Sequence, residues 1–260
     1  MTADITPAEL RARIRRAEWT TPTSGAATGY LQANLVMLPK TRAFEFLLFC
    51  TRNPKPCPVL DVLEPGQSEP AIAPGADLTT DLPLYRLFRE GRLTEEVTDV
   101  RAWFGEDTVS FLLGCSFSFE NAMLAAGLPV RNIAEGKNVS MYITNRACRP
   151  AGPFEAPLVV TMRPMTPAQA VRAVQVTTRF HQTHGAPIHL GDPAVLGIRD
   201  LDRPDFGDPV TIRPDEIPVF WACGVTSSLA VTAARLDQVV THAPGHMFVS
   251  DLRDEHVAIF

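Results

Sequence analysis

The chain has 260 residues, 45% apolar and 20% charged, enough apolar content to bury a substantial core and too much for a disordered chain. A net charge of −5 excludes a basic nucleic-acid footprint, since the only dense basic run is Arg11, Arg13, Arg15 and Arg16 on an early helix. No apolar leader follows the first residues, and FEFLLFC (44–50) is too short to span a bilayer, so the expectation is a cytoplasmic protein without membrane or nucleic-acid partners. The five cysteines form no C-x-x-C pair and read as reduced thiols.

In chain order, Thr6-Pro7-Ala8-Glu9 predicts a helix start, with a capping threonine, proline at the first helical position and a glutamate that closes the box. The same device at Thr166-Pro167-Ala168-Gln169 predicts a helix to about His181. Apolar strands are expected near 58–63, 108–113, 139–144 and 157–162, with short helices near 42–48, 82–90 and 117–126. Strands near 217–222, 236–241 and 247–251 follow, with a helix at 225–234. This alternation predicts an α/β fold: a mixed-sheet larger lobe with helices on both faces (1–104 and 184–260) and a smaller two-layer α/β lobe inserted at 105–183.

THAPGHMFVSD (241–251) places His242 and His246 at a zinc-helix spacing, but Pro244-Gly245 breaks any helix between them. The pair therefore predicts a turn joining two strands, with both imidazoles at the sheet rim and Asp251 available to orient one. HGAPIHLGD repeats the theme with His184, His189 and Asp192; were the two turns to meet, they would form a proton-transfer site or a metal site, although no spacing is diagnostic of a metal. In LGCSFSFENA (113–122), Cys115 and Ser116 sit where a strand passes into a helix, a position that favours anions, and Glu120 follows as an acid/base candidate. WACGVTSSLAV (221–231) has the same strand–loop–helix form, with Gly224, Thr226 and Ser227 as anion-binding candidates. Arg52, Asn53 and Asn34, the last inside an apolar run, complete the polar candidates from the N-terminal part.

Taken together, TGYLQANLVMLP, FCTRNPKPCPVLD, DLPLYRLFREG, GCSFSFENAML, YITNR, HLGDP, FWACGVT and THAPGHMFVSDL resemble the D-glutamate cyclase family over about residues 20–253. One departure is that Gly-Val-Thr, usually followed by Pro-Gln in that family, is followed here by Ser227-Ser228. The resemblance implies a two-lobed α/β hydro-lyase that removes water from D-glutamate, or a related small amino or carboxylic acid, to form 5-oxo-D-proline. Such a reaction needs a base, oxyanion donors and an acid, but no cofactor. His242 and His246, with Asp251 or Asp192 behind them, suit base and acid; Arg52 or Arg146 suits the α-carboxylate. The alternatives are a metal-dependent hydro-lyase or hydrolase on another small carboxylate and a non-catalytic carboxylate-binding protein. Either way the expected partner is a small carboxylate, and a homodimer is compatible with the sequence.

Overall fold

The computed structural model describes residues 5–259. Both capping boxes form: Thr6 opens α1 (Pro7–Arg15) and Thr166 opens α5 (Pro167–Thr177), each with the reciprocal pair of bonds to the residue three positions on. The second helix stops at Thr177, short of His181, and the chain continues into a separate 3-10 turn.

Every strand pairing among the described residues is antiparallel, so the expected α/β class holds while the mixed sheet does not. The larger sheet has seven strands: β1 (Tyr30–Pro39), β2 (Val59–Val62), β3 (Tyr85–Arg89), β4 (Arg92–Val97), β5 (Thr108–Gly114), β10 (Val239–His242) and β11 (Phe248–Arg253). The smaller has four: β6 (Ser140–Ala147), β7 (Pro157–Met165), β8 (His189–Leu190) and β9 (Ile217–Ala222). The remaining helices are α2 (Lys40–Arg52), α3 (Phe117–Ala125), α4 (Arg131–Ala134) and α6 (Val225–Ala233). None of the helices among the described residues is long and apolar enough to cross a membrane.

The division at 105 and 183 does not follow the sheets. β5 pairs with β1 from Ala33↔Gly114 to Pro39↔Thr108 in the larger sheet, while β8 and β9 belong to the smaller one. β1, the centre of the larger sheet, shows the two-residue period of a strand in its packing. Val36 and Leu38 face Phe46 and Phe49 of α2 and Ala230 and Val231 of α6, whereas Ala33, Leu35 and Met37 face Leu63, Ala73, Leu78 and Leu82. That second face is covered by irregular chain where helices were expected. The smaller sheet repeats the plan, with Trp221 and Val219 against α3 and α5 and Phe220 and Met162 against Leu196, Ile198 and Val210.

The helix expected at 82–90 is β3. Tyr85 and Leu87 are buried while their neighbours are partly exposed, and Glu90-Gly91, both at positive φ, make the two-residue turn that suits a hairpin with β4. β10 and β11 are likewise not neighbours across a turn. Both pair with β1, at Val36↔Thr241 and at Ala33↔Phe248, as two segments of one line. Seven steps of chain there span three steps of β1, and the surplus, Ala243–Met247, loops out of the sheet.

Candidate active site

Two strand–cysteine–helix junctions meet beside the middle of β1. β5 ends at Gly114, the Cys115 amide donates to the Gln32 carbonyl (3.2 Å), and α3 begins. β9 ends at Ala222, the Cys223 amide donates to the Val159 carbonyl (3.0 Å), and α6 begins. Asn34 lies between them. Its Nδ2 donates to the carbonyls of Leu113 (3.2 Å) and Gly114 (2.8 Å), and a Cβ placed on Gly224 would come within 2.1 Å of that nitrogen. A Cβ on Gly114 would stand 1.9 Å from the Gln182 carbonyl, so both glycines are fixed by close approach.

Arg163 of β7 reaches into this junction. Its side chain is fully buried, its Nη2 donates to Glu120 (2.5 Å) and to Ser116 Oγ (3.3 Å), and its Nη1 donates to Thr161 Oγ1 (3.2 Å). The guanidinium also lies over the rings of Phe119 and Trp221, while its Nε has no hydrogen-bond partner among the described residues. Two charges so far from water persist only as a pair, so Arg163 fixes the position of Glu120. The second Glu120 oxygen accepts from Ser24 Oγ (3.0 Å), where the carboxylate meets a pocket of about 340 Å³.

That pocket is lined by Gln32, Phe117, Glu120, Asn121 and Asp254 and roofed by Gly25–Tyr30. Ala27 and Gly29 adopt left-handed backbone, and the amides of Ala27, Thr28 and Gly29 donate to no other described residue. Alternating backbone hand with unspent amides is an arrangement that binds anions. Gln32 is held from the side by the loop that leaves the sheet: Thr23 Oγ1 donates to Gln32 Oε1 (2.8 Å) and to the Gly245 carbonyl (3.2 Å) and accepts from the Met247 amide (3.0 Å). Met247 packs in one buried cluster with Cys115 and Cys223.

Asp254 forms a wall shared with a second pocket, of about 660 Å³, which adds Arg172, Arg179 and Arg253. It is 7% exposed and its Oδ1 has no hydrogen-bond partner among the described residues. Burial pushes its carboxyl up to about 7, against the opposing pull of a hydrogen bond from Asn121 and of Arg253.

The expected residues thus separate into two groups. Cys115, Ser116, Glu120, Asn34 and Gly224 come together, as do Thr226 and Ser227, but their polar groups are largely spent within the protein. Thr226 Oγ1 accepts from the Val159 amide, Ser227 Oγ donates to the Gly224 carbonyl, and Ser118 bonds to the Gln32 backbone. Burial pushes both junction thiols up, Cys223 to about 11, which favours the packed thiol over the nucleophile. The remaining candidates lie elsewhere. His242 is in the core and not at a rim: it is 1% exposed, Nδ1 faces the backbone of Leu35, and burial pulls its pKa to about 4. His246 Nδ1 contacts the Pro244 carbonyl in its own loop (3.1 Å), and burial lowers its pKa as well. Asp251 orients no imidazole, because both its oxygens accept from Arg11 Nη2 (3.0 Å each). His189 contacts the Asp192 carbonyl (2.7 Å), and Asp192 caps the following turn. Arg52 and Asn53 bind the backbone of Arg149 and Pro150, and Arg146 is exposed on β6. The two histidine turns do not meet as a metal site: no group of three or more His, Cys, Asp or Glu among the described residues is arranged to hold an ion. The geometry brings two further residues to the pocket region. Arg163 is visible in sequence only as a charge inside the apolar strand PLVVTMRPM, and Asp254 carries no local signal.

A family model described as D-glutamate cyclase matches residues 109–251. A relative from Syntrophobacter fumaroxidans is 62% identical over 99% of both chains. One from Geobacillus kaustophilus is 60% identical over 99% of this chain and 98% of its own, and one from Bacillus subtilis 55% identical over 98% of this chain and 100% of its own. All three carry provisional hydro-lyase names. The protein is accordingly an enzyme of the lyase class. More narrowly, the chain belongs to the D-glutamate cyclase family.

Proposed function

We propose that the pocket bounded by Glu120 and the Gly25–Tyr30 loop is the active site of a hydro-lyase that closes D-glutamate to 5-oxo-D-proline. The observation that carries this reading is convergence. Four stretches far apart in sequence, around Gln32 and Asn34, Cys115 to Asn121, Cys223 to Thr226, and Gly245 to Met247, meet around one buried Arg163–Glu120 pair beside a pocket of about 340 Å³. A volume of that order is ample for a five-carbon amino acid.

The substrate carries one ammonium and two carboxylates, and the lining answers both signs. The Glu120 carboxylate, paired with Arg163, is the partner for the ammonium. The amides of Ala27 to Gly29 are donors for a carboxylate or for the oxyanion formed when nitrogen attacks the side-chain carboxyl. Phe117 and Leu124 supply apolar wall for the substrate's methylene groups. The buried histidines take no part: His242 stays neutral against the Leu35 backbone.

The test is incubation of the purified protein with D-glutamate, L-glutamate and both 5-oxoprolines, following the primary amine by chiral separation. Conversion of the D pair is the expected result. No change in any of the four overturns the reaction.

A further inference from the structure

We propose that Asp254 is the proton-carrying catalytic residue of this pocket, taking protons from the substrate nitrogen and delivering them to the departing oxygen. This assignment rests on the reaction proposed above. Closing the ring forms one C–N bond and breaks one C–O bond, with no change of oxidation state. The ammonium loses two protons in all, and the leaving carboxylate oxygen gains both and departs as water. A single carboxyl that alternates between acid and carboxylate can carry them in turn: it accepts one proton to free the lone pair for attack, passes it to the oxygen, then repeats the transfer as the tetrahedral carbon collapses.

The geometry points to Asp254 for three reasons. It lines the same pocket as Glu120, so the two acidic residues border one cavity. It is more than nine-tenths buried, yet Oδ1 makes no hydrogen bond within the described residues, which leaves one buried oxygen uncommitted. Its backbone amide donates to the Gly29 carbonyl (3.0 Å), which ties it to the roof loop whose amides are also unspent. Glu120 is unsuited to the task, because both its oxygens already accept hydrogen bonds. The two carboxyls therefore divide the work: the one paired with Arg163 holds the ammonium, while the other exchanges protons.

The charged groups around Asp254 fix its behaviour with pH. Arg253 and Glu255 flank it in the chain, Glu120 lines the smaller pocket with it, and Arg172 of α5 and Arg179, just beyond that helix, line the larger pocket. Burial dominates and places the carboxyl near 7, so both forms are populated at neutral pH.

The decisive experiment is the pH profile of turnover in the whole protein, compared with the variants Asp254→Asn and Asp254→Glu. The expected result for wild type is an acidic limb in kcat/KM near pH 7. Asp254→Asn keeps shape and the backbone bond to Gly29, so it should lower kcat by about 10²- to 10⁴-fold. Stabilisation of the variant by D-glutamate in thermal unfolding should persist, and Asp254→Glu should restore part of the rate with a displaced limb. Should Asp254→Asn fail to fold, Asn121→Ala serves: losing the donor that favours the carboxylate should move the limb to higher pH. An active wild type whose rate and limb are indifferent to these changes overturns the role of Asp254 alone. A wild type that converts none of the four compounds overturns the reaction and this assignment with it.

Discussion

Replacing Arg163 with methionine removes the guanidinium but keeps much of its apolar stem, so the main effect is to strand Glu120. The two side chains are 1% and 3% exposed, and Glu120 retains only the Ser24 hydroxyl once Arg163 is gone. Removing one partner of a buried ion pair costs about 3–5 kcal/mol, because the remaining charge is left without compensation. For a chain of this length the unfolding entropy is on the order of 0.5 kcal/mol per degree, so the midpoint should fall by about 5–9 °C. The second change, Glu120→Gln in the Arg163→Met background, should recover most of that loss, since the orphaned charge disappears while the hydrogen bond with Ser24 remains feasible. Urea unfolding of the four proteins measures the effect as a double-mutant cycle. A single-variant loss below about 1 kcal/mol, or costs that simply add in the double variant, would refute a desolvated, interdependent pair.

Three further outcomes are expected. Gly224→Ala drives a methyl group into Asn34, at 2.1 Å from its Nδ2, and should cost about 1–3 kcal/mol; because Asn34→Ala makes room, the double variant should cost less than the sum, as urea midpoints will report. His184 and His242 are both buried and both pulled to about 4, mainly by burial, so the unfolded chain takes up protons near 6.5 before the folded one does. Stability is therefore full above pH 6.5 and falls as pH drops towards 4, by on the order of 3 kcal/mol per histidine, and glutamine at either position should flatten the slope measured by unfolding across that range. Cys148 is the partly exposed thiol, the other four being buried, so a colourless disulfide reagent that releases a chromophore should titrate it first in the native protein; rapid reaction of all five would contradict the packing.

Local chemistry made several elements legible from residues alone. The two Thr-Pro capping boxes, the helices after Cys115 and Cys223, and the break imposed by Pro244-Gly245 follow from side-chain oxygens, fixed φ and missing donors, which act within a few residues. The 82–90 segment shows the limit of such signals. Tyr85, Leu87 and Phe88 suit a helix face as well as a strand, and pairing with β10 and β4 decided for the strand.

The histidines were the most conspicuous candidates in the sequence because imidazoles near proline and glycine are conspicuous anywhere. Burial could not be read there, and it is burial that makes His242 a neutral backbone contact and His184 a second one, bonded to the Lys55 carbonyl. The same term, with the opposite effect on an acid, raises Asp254 to near neutrality. Sequence by itself determined which stretches turn, cap and alternate, and which residue types were on offer. Only the tertiary structure decided that Arg163 from β7 meets Glu120 from α3, and that Asp254 lines the same pocket with a buried oxygen unpaired among the described residues. The physical reason is that a charge's chemistry depends on the water it has lost and the partner it has gained, and both are set by chain segments far away in sequence.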